Sequence, residues 1–174
     1  KMAEEFWPGP LTMVLPKKDI IPLTTSGGLD TVGIRFPSHK TAQKIIKACG
    51  KALAAPSANL SGKPSPTSTM HVFDDMKGKI PAIIDGGICS VGVESTVVSF
   101  ENDMVRILRP GYISEEDIKK ITENVITDKG VLNKITDSEI IRSPGMKYKH
   151  YSPKANVIIL EGSIDKFCDY VNNH

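Results

Sequence analysis

The sequence predicts an α/β (α+β) protein built on a twisted mixed sheet that is flanked by helices. Two observations support this prediction. Short runs of β-branched and apolar residues alternate with segments in which apolar residues recur at helical spacing. Two of the short runs are separated only by the polar turn at 101–103, which suits an antiparallel hairpin, so the sheet is not purely parallel.

Turn-forming residues and helix caps set the limits of the individual elements. The predicted strands are 11–15, 31–36, 52–55, 82–85, 95–100 and 104–108. The predicted helices are 1–6, 38–49, 69–76 and 114–124. Pro8 and Gly50 end the first two helices, and Ser38 and Ser114 are the expected N-caps of the second and the fourth.

The chain is predicted to hold one partial domain, a linker and the start of a second domain. Residues 1–124 carry the alternating elements, and because their first helix begins in mid-turn, we expect the N-terminal portion of this domain to be missing. Residues 125–154 lack periodicity and include a stretch, 142–154, that has four basic residues and no carboxylate, which favours an extended linker. Residues 155–174 add a short strand, 157–160, and a helix, 163–171, which begin a C-terminal domain.

Composition excludes several classes of function. The 22 basic and 20 acidic residues give a formal charge of +2, too little for the global field of a dedicated duplex-binding protein. Apolar runs such as 157–160 are far shorter than the roughly 18 residues that a membrane span needs, and no leader peptide opens the chain. We therefore expect a soluble, cytoplasmic protein with no membrane partner. The three cysteines form no CxxC pair, which argues against a zinc site and against a disulfide framework.

A polar loop follows the predicted strand 52–55. Residues 56–62, Pro-Ser-Ala-Asn-Leu-Ser-Gly, can present hydroxyls and backbone N–H groups to an anion at the carboxyl end of a strand. Residues 65–67, Ser-Pro-Thr, add hydroxyls just before a helix, where free N–H groups favour phosphate. The alternatives are an ordinary Asx or Ser turn and a plain helix cap.

Two arginines and one strand end also qualify as binding candidates. Arg35 interrupts an otherwise apolar strand, so we expect an anionic partner, either a ligand or an internal carboxylate. Arg109 stands before a Pro-Gly turn, where it could grip a phosphate or lie on the surface. Glu94, Ser95 and Thr96 open a strand, and its period of two sends Ser95 and Thr96 to opposite faces.

No side-chain nucleophile or metal motif is recognisable. The sequence has no paired carboxylates, no HExxH, no GxxxxGK[ST] and no interpretable Ser-His-Asp spacing. We expect no catalytic side chain and no metal-ligating residue, so that any chemistry depends on positioning and on the neutralisation of charge.

Six motifs occur in one order that resembles the YrdC-type L-threonylcarbamoyladenylate synthases. They are 6–12, 31–37, 56–62, 65–67, 92–98 and 108–111, within a resemblance that spans roughly residues 3–124. Residues 143–153 are similar to the linker of the long, two-domain form of that family. The resemblance implies a YrdC-like sheet, followed by the linker and by the start of a Rossmann-like C-terminal domain.

The resemblance also implies an activity. Such enzymes combine L-threonine, bicarbonate and ATP, with Mg²⁺, to give threonylcarbamoyl-AMP and pyrophosphate. A separate tRNA-modifying transferase complex then moves the threonylcarbamoyl group to an adenosine of tRNA. Direct binding of tRNA by the synthase is expected to be weak or absent.

Site residues follow from the positions that match the family motifs. The implied ATP contacts are Thr31, Ser57, Asn59, Ser65, Arg109 and Ser143. The implied L-threonine contacts are Arg35, the Ala55 backbone and Ser95. Tyr148, His150 and Tyr151 of the linker would lie over the cleft as a lid that keeps water from the intermediate.

One departure from the family pattern limits these implications. The family elements that bind threonine and the triphosphate, together with the Mg²⁺ ligands, would lie before Lys1, so the resemblance does not imply that this segment is active by itself. Two alternatives stay open. One is an RNA-binding module that uses the basic, Tyr-bearing linker, and the other is a carbamoyl-transfer domain of related fold.

Overall fold

A computed structural model describes residues 1–128 and 159–173. Its helices are α1 (Met2–Phe6), α2 (Leu23–Ser26), α3 (Lys40–Cys49), α4 (Thr69–Met76), α5 (Glu115–Lys119) and α6 (Ile164–Asn173). Its strands are β1 (Leu11–Pro16), β2 (Thr31–Ile34), β3 (Thr96–Glu101), β4 (Met104–Arg109) and β5 (Val125–Thr127). A mixed sheet flanked by helices confirms the predicted α/β class.

The five strands form one mixed sheet in the order β2-β1-β3-β4-β5. β1 pairs antiparallel with β2 and parallel with β3, while β4 pairs antiparallel with β3 and parallel with β5. The predicted hairpin is confirmed as β3 and β4. Asn102 in its turn has a φ of 54°, in the left-handed region that Asn tolerates better than most residues.

One face of the sheet packs against α1 and α5 to form the core. Its buried residues are Met2, Leu11, Met13, Val98, Val105, Ile107, Ile113 and Ile118. Because strand side chains alternate, the intervening residues of β1 and β3 point to the opposite face. That face carries Thr12 and Val97, and Ser95, the residue before β3, directs its hydroxyl to it. It is called the polar face below.

Two predicted strands are absent. Residues 52–55 and 82–85 have no strand structure, and the first of these segments is exposed along its whole length. A strand requires a hydrogen-bonded neighbour, and the five strands of the described sheet pair only with one another. The two strand predictions are wrong, because the apolar composition that favours a strand does not supply that neighbour.

Helix limits follow the local capping chemistry. Ser114 accepts from the backbone N–H of Asp117 at 3.1 Å, and the Asp117 carboxylate accepts from Ser114 N at 3.2 Å, which completes a capping box. Helix α5 ends at Lys119 rather than at the predicted residue 124. The N-cap of α3 is His39 rather than Ser38, and it makes no side-chain cap bond.

The predicted limits of the linker and of the C-terminal unit stay predictions. β5 lies inside the segment 125–154 and pairs with β4, which the absence of periodicity did not anticipate. The predicted strand 157–160 falls partly outside the described residues, and its last two residues are not in a strand. α6 corresponds to the predicted final helix. None of the helices within residues 1–128 and 159–173 has both the length and the apolar character of a membrane span.

Candidate functional site

A cluster of three polar side chains forms where β1, β3 and β4 meet. The hydroxyls of Thr12 and Ser95 lie 2.8 Å apart and share a hydrogen bond. The guanidinium of Arg109 donates through Nη2 to the Ser95 hydroxyl at 3.2 Å and to the Ser95 carbonyl at 2.8 Å, and Nε reaches the same carbonyl at 3.3 Å. The structure therefore brings together Ser95 and Arg109, two of the predicted site residues, and adds Thr12.

The backbone that carries Ser95 is tied down from several sides. Thr96 N donates to Pro10 O at 3.0 Å, and Tyr112 N donates to Glu94 O at 3.2 Å. A Cβ on Gly111 would stand 2.4 Å from Glu94 O and 2.6 Å from Thr96 N, so only glycine allows this close approach. Ser95 is 4% exposed, and its position is set by backbone contacts.

The predicted separation of Ser95 from Thr96 is confirmed. The Thr96 hydroxyl, fully buried, donates to Ile113 O at 2.7 Å on the core side of the sheet. The Ser95 hydroxyl points instead to the polar face, toward Thr12. The alternation of the strand thus gives Thr96 a structural bond and leaves Ser95 among polar groups.

Strand β2 adds further residues to the polar face. Gly33 pairs with Val14 of β1, and a Cβ on Gly33 would stand 3.2 Å from Thr12 Cγ2. Gly33 therefore lies on the same face as Thr12. The alternation of the strand assigns Thr31 and Arg35 to the same face. The guanidinium of Arg35 is exposed, and among the described residues it makes no hydrogen bond or ion pair, so the internal carboxylate considered above is absent there.

The loop 56–63 is braced by its own side chains. Asn59 Nδ2 donates to Leu60 O at 3.0 Å and to Lys63 O at 2.9 Å, so its amide closes the loop on itself. Ala55 and Ser57 at the start of the loop are exposed. Asp75 of α4 accepts from Leu60 N at 3.1 Å and pairs with Lys63.

The start of α4 meets the loop 85–89. Ser65 is half-buried in the turn before this helix. The Asp85 carboxylate accepts from the Thr69 hydroxyl and from Gly87 N, and His39 bonds to Gly86 O at 3.1 Å. These contacts connect the helix to the loop 85–89 and to the start of α3.

Hydrogen bonding sets the charge of the two aspartates that hold these loops. The Lys63 side chain and the Leu60 N–H lower the pKa of Asp75 below the usual value for Asp, although burial opposes this shift. The Thr69 hydroxyl and the Gly87 N–H lower the pKa of Asp85 in the same way. Both carboxylates are therefore ionised at neutral pH.

Three other predicted site residues are not hydrogen-bonded to the cluster within the described part of the chain. Neither Thr31, Arg35 nor Ser57 shares a described hydrogen bond with Ser95 or Arg109. The predicted residues of the linker, Ser143, Tyr148, His150 and Tyr151, lie outside the described residues. In residues 1–128 and 159–173, no group of three or more His, Cys, Asp or Glu side chains could hold a metal ion.

Sequence reasoning missed two residues that shape the site. Thr12 stands between the buried Leu11 and Met13, and a lone polar residue at the outward position of a strand was the available signal. Asp75 follows Asp74 in a short helix, and the pair gave no sign that one of them is buried.

The fold and the site define a class of protein in which a mixed sheet carries hydroxyls and guanidinium groups on one face. A family model for the Sua5, YciO and YrdC proteins, described as "Telomere recombination", matches residues 1–111. A second model, described as "Threonylcarbamoyl-AMP synthase, C-terminal domain", matches residues 113–170. The chain belongs to the Sua5/YciO/YrdC family.

Relatives and solved structures agree with this membership. The chain is 49% identical over 165 residues to a threonylcarbamoyl-AMP synthase of Pyrococcus abyssi and 46% identical over 166 residues to one of Bacillus subtilis, with 95% of the chain covered in each case. It is also similar to the crystal structure of P. abyssi Sua5 complexed with L-threonine, with a TM-score of 0.91 and 47% identity over 99% of the chain. The chain spans about half the length of these proteins, 48% and 47% of the two relatives and 50% of the solved chain.

Proposed function

We propose that the protein containing this chain synthesises threonylcarbamoyl-AMP from L-threonine, bicarbonate and ATP, and releases pyrophosphate. Relatives with the same activity in their names, at 46–49% identity over most of the chain, support the proposal. The observation that carries it is the Thr12–Ser95–Arg109 cluster, in a chain 47% identical to a P. abyssi protein solved with L-threonine.

The proposed reaction needs positioning rather than a nucleophilic side chain. The threonine amine and carbon dioxide from bicarbonate form a carbamate, whose oxygen attacks the α-phosphorus of ATP. A carbamate O–P bond forms as the bond to the β-phosphate oxygen breaks, and pyrophosphate leaves with the electron pair. Alignment of the two substrates and neutralisation of the phosphate charge lower the barrier of such a transfer.

Threonine is assigned to Arg35, Ser95 and the backbone of Ala55. A planar guanidinium binds a carboxylate through two parallel hydrogen bonds, and Arg35 has all its donors available among the described residues. Ser95 offers a hydroxyl on the same face, and Thr12 holds that hydroxyl in place. These three features support an amino-acid site at the β2 side of the cluster.

ATP is assigned to a set of hydroxyls, one amide and one arginine. The residues are Thr31, Ser57, Asn59, Ser65, Arg109 and Ser143. Arg109 keeps donors beyond those bonded to Ser95, because a guanidinium carries five N–H bonds. The hydrogen bonds of Asn59 within its own loop favour a bracing role for its amide nitrogen.

The described cluster does not fit a Mg²⁺ site. Mg²⁺ prefers carboxylate and phosphate oxygens in an octahedral arrangement, while the cluster consists of hydroxyls and a guanidinium. We therefore assign no residue of the described part to Mg²⁺. Any magnesium would be bound chiefly by the phosphates of ATP.

The remaining parts of the proposal concern the product. Threonylcarbamoyl-AMP would pass in the cytoplasm to a tRNA-modifying transferase complex, with little direct binding of tRNA by this protein. Tyr148, His150 and Tyr151 would cover the cleft and exclude water from the mixed anhydride. The boundaries proposed for this arrangement are a synthase domain to residue 124, a linker over 125–154 whose first residues form the edge strand β5, and a C-terminal domain from residue 155.

The proposal is tested by measuring pyrophosphate released from ATP by the complete protein. Release is expected only when L-threonine and bicarbonate are both present, because the carbamate is the nucleophile. L-Serine in place of L-threonine controls for the specificity of the amino-acid site. Pyrophosphate release that is indifferent to threonine would remove the proposed function, and tight, steeply salt-dependent tRNA binding without nucleotide would favour an RNA-binding module instead.

A further inference from the structure

We propose that Asp75 is a positioning residue that holds the loop 56–63 in the conformation required for ATP binding. The inference rests on the proposed function, because the loop matters here as the carrier of Ser57. Asp75 lies on α4 and does not belong to the set of residues assigned above to either substrate.

Helix stability does not explain an aspartate at this position. Asp75 is the penultimate residue of α4, and a carboxylate in the last turn lies near the negative end of the helix dipole. Asp74, its neighbour, is exposed to water, whereas Asp75 is only 7% exposed. A buried carboxylate loses its hydration and requires compensating partners.

The two partners of the Asp75 carboxylate come from the loop 56–63. The Asp75 Oδ2 atom accepts a hydrogen bond from the backbone N–H of Leu60 at 3.1 Å, and Oδ1 accepts one from the ammonium group of Lys63. The backbone carbonyl of Asp75 also accepts from Lys79 Nζ at 2.9 Å. One carboxylate thus fixes two loop positions that are three residues apart, and it links this loop to α4.

Asn59 completes the arrangement from inside the loop. Its amide nitrogen uses both hydrogens, on Leu60 O and Lys63 O, so the amide orientation is set by two acceptors. Leu60 therefore has its N–H held by Asp75 and its carbonyl held by Asn59. Among the described residues the buried Asn59 Oδ1 atom accepts no hydrogen bond, which costs free energy in this conformation.

Ser57 benefits from this bracing without taking part in it. It is exposed, and its hydroxyl makes no hydrogen bond with the described residues. A loop without strand or helix structure loses conformational freedom when it binds a ligand. By ordering residues 59–63 before the nucleotide binds, Asp75 reduces the conformational entropy that the loop loses on binding.

The test compares Asp75→Asn with Asp74→Asn in the complete protein. Both substitutions remove one negative charge from the last turn of α4, but only the first removes the charge that holds the loop. For Asp75→Asn we expect the KM for ATP to rise about tenfold, as for the loss of a hydrogen bond to a charged group. The KM for threonine should change less than twofold, and Asp74→Asn should leave both values unchanged.

A second variant covers the case in which Asp75→Asn folds poorly. Lys63 is 56% exposed, so Lys63→Met removes the ion pair at a site that water already reaches. It should raise the KM for ATP about threefold without lowering the melting temperature by more than a few degrees. An unchanged KM for ATP in this variant would overturn the inference.

The remaining outcomes separate the inference from the proposed function. If the unmodified protein releases pyrophosphate but Asp75→Asn behaves like Asp74→Asn, the positioning role is wrong and the proposed function stands. If both KM values rise together and the melting temperature falls, Asp75 is only structural, and the inference is again wrong. If the unmodified protein releases no pyrophosphate with all three substrates, the proposed function fails and the inference fails with it.

Discussion

Arg35 and Arg109 are the same residue type in two different environments. Arg109 is half-buried and donates from two nitrogens to Ser95, so some of its N–H groups hold Ser95 in place. Arg35 lies just past the end of β2, exposed, with its donors available among the described residues. Substitution of Arg109 would therefore disturb Ser95 as well as any ligand, while substitution of Arg35 reports on ligand binding alone.

Replacing Arg35 with alanine should weaken threonine binding about 10- to 100-fold, since hydrogen bonds to charged groups contribute about 1.5–3 kcal/mol. Isothermal titration of the complete protein with L-threonine measures the change. Arg35→Lys is the matched control. It keeps the charge but loses the bidentate fork, so its affinity for threonine should lie between that of the unmodified protein and that of Arg35→Ala. Unchanged affinity in Arg35→Ala would refute the role assigned to this residue.

At the scale of elements, the start of β3 depends on the turn that follows β4. Gly111 packs its Cα against the backbone of residues 94–96, and Tyr112 N donates to Glu94 O beside it. Strand pairing, the Pro-Gly turn and the site are therefore coupled. A change in the turn displaces Ser95 although the turn itself carries none of the assigned ligand contacts.

Gly111→Ala should destabilise the protein by about 1–3 kcal/mol, because the new Cβ meets backbone atoms that cannot rotate away. It should also weaken threonine binding through the displacement of Ser95. Chemical denaturation and titration with L-threonine measure the two effects.

Gly92→Ala provides the control for that substitution. A Cβ at Gly92 meets nothing within 4 Å, and its φ lies outside the left-handed region, so stability and binding should both be unchanged. Equal stability of the two variants would show that the close approach at Gly111 does not constrain β3.

At the scale of the whole molecule, carboxylates hold several elements in place. Asp75, Asp85, Glu115 and Asp117 all have lowered pKa values, each caused first by a side-chain hydrogen bond. The pKa of Asp117 falls to about 2, through Lys120 and Ser114. These groups lie on α4, in the loop 85–89 and on α5, so their protonation affects both the loops of the site and the support beneath the sheet.

Stability should therefore fall in acid. The folded pKa values lie below the ordinary 3.8 of Asp and 4.5 of Glu, so the unfolded chain binds protons first as the pH drops. The contribution is fully present above the ordinary values and is lost as the pH falls through the folded ones.

Melting temperatures measured by calorimetry should be flat near neutrality and should decrease between about pH 5 and about pH 2. Asp117→Asn should reduce the size of that decrease, because the variant has one fewer depressed carboxylate. A melting temperature that is constant or rises over this range would contradict the assignment of these carboxylates.

The sequence by itself determined several local features of this structure. The hairpin β3–β4, the cap at Ser114, the left-handed end of α3 at Gly50 and the opposite directions of Ser95 and Thr96 all follow from neighbours within a few residues, and all four agree with the structure. The ordered motifs also indicated the family whose model matches residues 1–111.

Tertiary structure alone decided the contacts that make the site. Thr12 and Ser95 are 83 positions apart, and only the parallel pairing of β1 with β3 brings their hydroxyls together. In the same way, the burial of Asp75 depends on the loop that folds over it, and the strand-like segments 52–55 and 82–85 stay unpaired because no described strand runs beside them. Propensity and pattern act over a few residues, whereas hydrogen-bond partners and burial are properties of the assembled chain.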